Sequence, residues 1–123
     1  MYNHMVAQRE LSDDDVDRIF RALADATRRD ILRRTIAAEQ SVSTLAADYD
    51  MSFAAVQKHV AVLEAARLIV KRAEGRERRV RTDPEMIARA QQLLERYQDL
   101  WRHRIDSIDA LLAEDAETPR PES

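Results

Sequence analysis

Only one glycine, Gly75, stands among the 123 residues, and that scarcity removes most of the folds open to a chain of this length. Sheet-rich domains use glycine repeatedly, at turns that need positive φ and at bulges. Ala, Leu, Arg, Glu and Asp dominate instead and only 5% of residues are aromatic, which is the usage of a helical protein. An apolar content of 45% suffices for one modest core, so a single domain is expected. The fold class expected is mainly α, and the lone glycine marks where the helices give way.

Around Gly75 the pattern changes. Ile69 to Ala73 and Arg78 to Thr82 read as extended segments on either side of Glu74-Gly75-Arg76-Glu77, a small β-hairpin with its glycine at the tip. Elsewhere the period is helical. Residues 1–11 show no clean period and are expected to be a loose arm. Ser12, with Asp15 three positions on, reads as an N-cap, and Val16, Ile19, Phe20 and Leu23 follow at helical spacing. Asp25 caps a second helix with an expected buried stripe of Ile31, Leu32, Thr35 and Ile36, ending at 38–40. Ser43 is expected to cap a short third helix carrying Leu45, Ala46 and Tyr49; Asp50 and Met51 then turn the chain into Ser52, the N-cap of a fourth.

Two helices so closely spaced suggest a helix-turn-helix. In the fourth, Ala55, Val56, His59, Val60 and Leu63 form the inward face, leaving Ala54, Gln57, Lys58 and Ala61 opposite. Such a small, polar face is what a helix entering the major groove requires, because long apolar side chains would block the base edges. Pro84 opens a last helix to about Ala113, with Leu94, Tyr97, Trp101, Ile105 and Ile108 on its apolar stripe. Residues 12–113 are thus the expected domain, and 114–123 an acidic, disordered tail.

The net charge is −3, which by itself argues against a nucleic-acid partner. Its distribution argues the other way. From Arg67 to Arg81, seven basic residues face two acids, a local balance of +5, whereas six acids face one arginine from Ile105 to Ser123. A polyanion would be steered to the middle of the chain.

The stretch Phe20-Arg21-Ala22-Leu23-Ala24-Asp25-Ala26-Thr27-Arg28-Arg29-Asp30-Ile31-Leu32 resembles the second-helix signature of the ArsR/SmtB family, and Met51-Ser52 through Val70 its recognition-helix signature. The resemblance extends from about Asp15 to Leu112. It implies a winged helix-turn-helix homodimer that binds an inverted-repeat operator, usually represses transcription, and often releases DNA in response to a ligand. Five residues depart from the family pattern. Asp50 and Arg67 occupy usual turn-glycine positions, Ala26 replaces a usual proline, and Phe53 and Ala54 replace polar residues at the start of the recognition helix.

On this reading Gln57 is expected at a base edge, most naturally adenine, with Ser52 and Lys58 at phosphates or bases near the groove wall. Phe53 and Ala54 favour thymine methyls, and His59 packs or touches phosphate. Arg72, Arg76, Arg78 and Arg79 are the wing's expected contacts to phosphate and minor groove. The dimer interface is expected to combine Val16 and Phe20 with Leu94, Tyr97, Trp101, Ile105 and Ile108. Asp99, His103 and Asp106 share one helical face, but this single histidine is flanked by Arg102 and Arg104, and a plain polar face is expected there rather than a metal site.

With no cysteine, thiolate metal sites and cysteine redox sensing are excluded. No cofactor is expected, and no inducer is identified by any residue. Phosphate-cradling loops and nucleophile motifs are absent, so an enzyme is not expected. Nor does any apolar run reach the roughly 20 residues that span a bilayer, and a cytoplasmic protein is expected. The partners expected are double-stranded DNA and a second copy of the chain, with no membrane. The competing function is a winged-helix adaptor that binds protein.

Overall fold

The computed structural model describes residues 10–117. Element order is α1 (Asp13–Leu23), α2 (Ala26–Ala37), β1 (Gln40–Ser41), α3 (Val42–Ala47), α4 (Phe53–Ala65), β2 (Ile69–Glu74), β3 (Glu77–Thr82) and α5 (Pro84–Glu117). This is the mainly α winged helix-turn-helix expected, with one addition: β1 joins the hairpin to make a three-stranded antiparallel sheet of order β1-β3-β2. The chain divides at Ala90 into two compact units, and α5 continues across the division. Among the described residues no helix is long and apolar enough to cross a membrane.

Local chemistry sets the boundaries. Ser12 and Asp15 close a capping box on α1, each side chain bonded to the other's backbone N–H at 3.1 Å. Asp25 and Ser52 cap α2 and α4 by accepting the N–H of Arg28 and of Ala55. At the third helix the expected cap, Ser43, is corrected to Ser41, whose hydroxyl accepts the Thr44 N–H at 3.0 Å. Pairing of Ser41 with Arg79 holds it extended, as an N-cap requires, and leaves Ser43 inside the helix. Tyr49 falls beyond the end of α3, in the turn.

α4 ends in a Schellman motif. The Leu68 N–H bonds the Leu63 carbonyl at 3.1 Å and the Arg67 N–H bonds that of Glu64 at 2.9 Å, and the geometry requires a left-handed residue at Arg67, with φ of 61°. Of the two non-glycines at usual glycine positions, Arg67 thus keeps positive φ and Asp50 does not. Gly75 has φ of 60° at the hairpin tip, as expected.

In the first unit α1, α2, α4 and the sheet enclose the core. Ile19, Ile31, Leu45, Val56, Val60, Leu63, Leu68, Ile69 and Val80 are all sealed, each stabilising the fold by about 1.5–3 kcal/mol relative to exposure. The hydroxyl of buried Thr35 donates to the Leu32 carbonyl at 3.0 Å and lies 3.0 Å from the Thr82 hydroxyl, tying α2 to β3. Ile36, expected in the stripe, is exposed, because the stripe of α2 is narrower than its run of apolar residues.

Two expected boundaries shift. Leu11, assigned to the arm, packs on the core, and α5 continues through positions 114–117, assigned to the tail. The remainder of both segments, 1–9 and 118–123, lies outside the described residues.

Candidate DNA interface

The helix-turn-helix is held from beneath by one arginine. The Arg28 guanidinium donates to the Ala22 carbonyl at 2.9 Å and the Arg21 carbonyl at 2.8 Å, and its Nη1 lies 3.2 Å from His59 Nδ1. Arginine can only donate, so His59 Nδ1 accepts and the ring proton sits on Nε2. Asp25 is 3.8 Å from the same Nδ1, and its carboxyl is held below the ordinary range, chiefly by the Arg28 N–H. The end of α1, the start of α2 and the middle of α4 are thereby locked together. His59 is half-buried in this arrangement.

A second clasp fixes the turn. The Tyr49 hydroxyl donates to Asp30 at 2.5 Å, Arg34 lies over the Tyr49 ring at 5.6 Å and pairs with Asp48 at 2.6 Å. The Tyr49 bond is the main cause of a lowered Asp30 carboxyl, while burial raises the Tyr49 hydroxyl. These contacts set the angle between α2 and the turn that leads into α4.

On α4, Val56, Val60 and Leu63 are buried, and Ser52, Phe53, Ala54, Gln57, Lys58 and Ala61 are exposed. The outward face carries small or polar side chains except for Phe53, which is 47% exposed at its leading end. Gln57 and Lys58 have no side-chain partner among the described residues, so their hydrogen-bonding capacity is uncommitted.

The wing divides its arginines. Arg72 and Arg79, cross-strand partners, are both ion-paired to Glu39 and Glu74, at 3.0 to 3.6 Å. The Arg72 bond chiefly lowers the Glu39 carboxyl. Arg76 and Arg78 are exposed and carry no ion-pair partner among the described residues. Lys71 is directed to Glu64 of α4 at 3.7 Å, and Arg67 to Asp15 at 3.3 Å. The acidic partner Glu39 has no counterpart in the sequence reading, since nothing local marks a glutamate more than thirty residues from the arginine it will meet.

Within the first unit Val16 is half-buried and Phe20 is 44% exposed. Within the second, Leu94, Tyr97, Trp101, Ile105 and Ile108 are exposed, Trp101 by 60%. Asp99, His103 and Asp106 are exposed on the same helix, and no group of three potential ligands comes together to hold a metal ion among the described residues.

Residues 23–72, the span just described as helix-turn-helix, match a family of helix-turn-helix domains. Over 81 residues the chain is 40% identical to the HTH-type transcriptional regulator Rv2034 of Mycobacterium tuberculosis, covering 66% of this chain and 76% of that protein. An ArsR-like transcriptional regulator from Rhodococcus sp. RHA1 superposes with a TM-score of 0.70 at 33% identity, covering 80% of this chain and 92% of that one. The homodimeric winged helix-turn-helix DNA-binding domain of a possible ArsR-family transcriptional regulator from Mycobacterium bovis superposes with a TM-score of 0.57 at 26% identity, over 75% of this chain and 91% of that one.

Proposed function

Because the chain belongs to the ArsR family of winged helix-turn-helix transcriptional regulators, we propose that it is a repressor that binds an inverted-repeat operator as a homodimer and controls its own promoter. The observation that carries this is the exposed face of α4, where Gln57 and Lys58 have no side-chain partner among the described residues, on a unit whose wing holds two arginines, Arg76 and Arg78, that carry no ion pair among those residues. Gln57 reads a base edge, Ser52, Lys58 and His59 Nε2 serve phosphates near the groove wall, and Phe53 and Ala54 meet thymine methyls. Arg76 and Arg78 supply backbone affinity. The exposed stripe of α5 is the surface on which a second copy assembles, and the M. bovis domain that this chain resembles is itself homodimeric. Two recognition helices about 34–36 Å apart then meet successive turns of the major groove.

The test is fluorescence anisotropy with duplex from the protein's own upstream region, titrated across salt. Tight binding, stronger than to a scrambled duplex, with a slope of log K against log salt that flattens by about 1.8 in an Arg76→Ala/Arg78→Ala variant, is the expected result. Weak binding indifferent to sequence and to the substitutions would instead assign the fold to protein contacts.

A further inference from the structure

Antiparallel register sets Arg72 of β2 directly opposite Arg79 of β3, where two like charges repel. A carboxylate from outside the hairpin resolves the conflict. Glu39, the residue before β1, places Oε1 3.0 Å from Arg72 Nη2 and Oε2 3.4 Å from Arg79 Nε. Glu74 Oε2 lies 3.6 and 3.3 Å from the same two nitrogens, and Glu77 Oε2 lies 3.6 Å from Arg79 Nη1. Three carboxylates therefore surround two guanidiniums. Glu74 and Glu77 belong to the hairpin and travel with it, whereas Glu39 belongs to the helical frame and ties the wing to it.

We propose that Glu39 is a residue that limits the DNA affinity of the wing by subtraction: its carboxylate occupies Arg72 and Arg79 and keeps two of the wing's cations off the DNA backbone. The inference rests on the DNA-binding reading above. Phosphate contacts supply affinity for every sequence alike, and base contacts supply the difference between sequences. Withholding two cations lowers binding to all DNA by the same factor and leaves base readout by α4 untouched, so Glu39 sets how strongly and how salt-dependently the protein holds the DNA backbone. A lone surface ion pair is too weak to resist a phosphate. Here five charges share one network, and a single carboxylate engages one arginine with each oxygen.

The experiment compares the full chain with Glu39→Gln, Arg72→Ala and the double variant, by anisotropy on upstream and scrambled duplexes between about 50 and 300 mM salt. In Glu39→Gln the salt slope is expected to steepen by about one to two on both duplexes, and binding to each to tighten about three- to tenfold near 0.15 M, with the ratio between the two left as in wild type. Arg72→Ala alone leaves the slope as in wild type, and added to Glu39→Gln it removes about half of the gain. Unchanged or weaker binding by folded Glu39→Gln overturns the proposal. If that variant does not fold, Arg72→Ala decides by itself, since a slope flattened by about one would mean that Arg72 already meets phosphate. Should Arg76→Ala/Arg78→Ala leave binding unaltered, the DNA reading itself falls; should it flatten the slope while Glu39→Gln fails to steepen it, only the role given to Glu39 falls.

Discussion

The two units of the chain use apolar residues in opposite ways. In the first, the large aliphatic side chains of α1, α4 and the sheet are sealed against one another, and among the described residues Phe20, Ile36 and Phe53 are the large apolar ones left out. In the second, Leu93 is buried while Leu94, Tyr97, Leu100, Trp101, Ile105 and Ile108 are exposed. A helix held only by its own hydrogen bonds is marginal in water. The first unit therefore carries its own driving force, and the distal part of α5 carries a surface that still has burial to gain. This contrast is why the homodimer is proposed through α5 rather than through the sheet or α4.

The strongest way to break the first unit is to open its core. Leu63→Ala, at a fully sealed position of α4, is expected to cost about 2–5 kcal/mol, measured by urea unfolding with an unchanged m-value. A cost below about 1 kcal/mol would mean that the site collapses and the core is looser than its burial indicates. Next in size, Trp101→Ala/Ile105→Ala is expected to weaken self-association at least tenfold, read by sedimentation equilibrium. Wild type and variant with the same mass at all concentrations would erase the contrast, leaving the α5 stripe without a function in assembly.

Smaller effects test the caps. Ser12→Ala removes half of the capping box on α1 and is expected to cost about 0.5–2 kcal/mol. The same box gives a pH dependence. Asp15 is held below its ordinary value by the Ser12 N–H first and its hydroxyl second, and Asp25, Asp30 and Glu39 are also lowered. A depressed carboxyl stabilises the fold above its unfolded value, about pH 4, and the gain disappears as pH falls through the lower folded value. Stability is thus expected to be flat from pH 7 to about 5 and to drop below about 4, and Ser12→Ala should shallow that drop. Smallest of all, Arg67→Gly relieves a left-handed φ of 61° and forfeits the pair with Asp15 at 3.3 Å. The net gain in thermal unfolding is expected to stay below about 1 kcal/mol.

The N-caps Ser12, Asp25 and Ser52 were legible because the signal is local: each stands at the start of a helical period. Ser43 was read in place of Ser41 because two serines satisfy the same pattern, and only pairing with β3 selects between them. The exposed face of α4 was legible for a similar reason, since the helix alternates apolar and polar at helical spacing. The arginines of the wing were legible as a cluster, and their division into paired and unpaired was not. That division depends on Glu39, separated from Arg72 by a helix-turn-helix in the chain and by 3.0 Å in space.

What the sequence by itself determined is the order of elements, the hairpin turning at Gly75, the inward stripe of α4 and the placement of basic charge, because each follows from interactions among residues a few positions apart. Only the tertiary structure decided that β1 exists, that Arg28 secures His59, that Ile36 is left in water, and that two of four wing arginines are engaged. Those outcomes depend on which distant groups share a few ångströms, and charge and hydrogen-bond energies fall off over that same range. A linear pattern records what a residue can do, and the fold decides what remains free to do it.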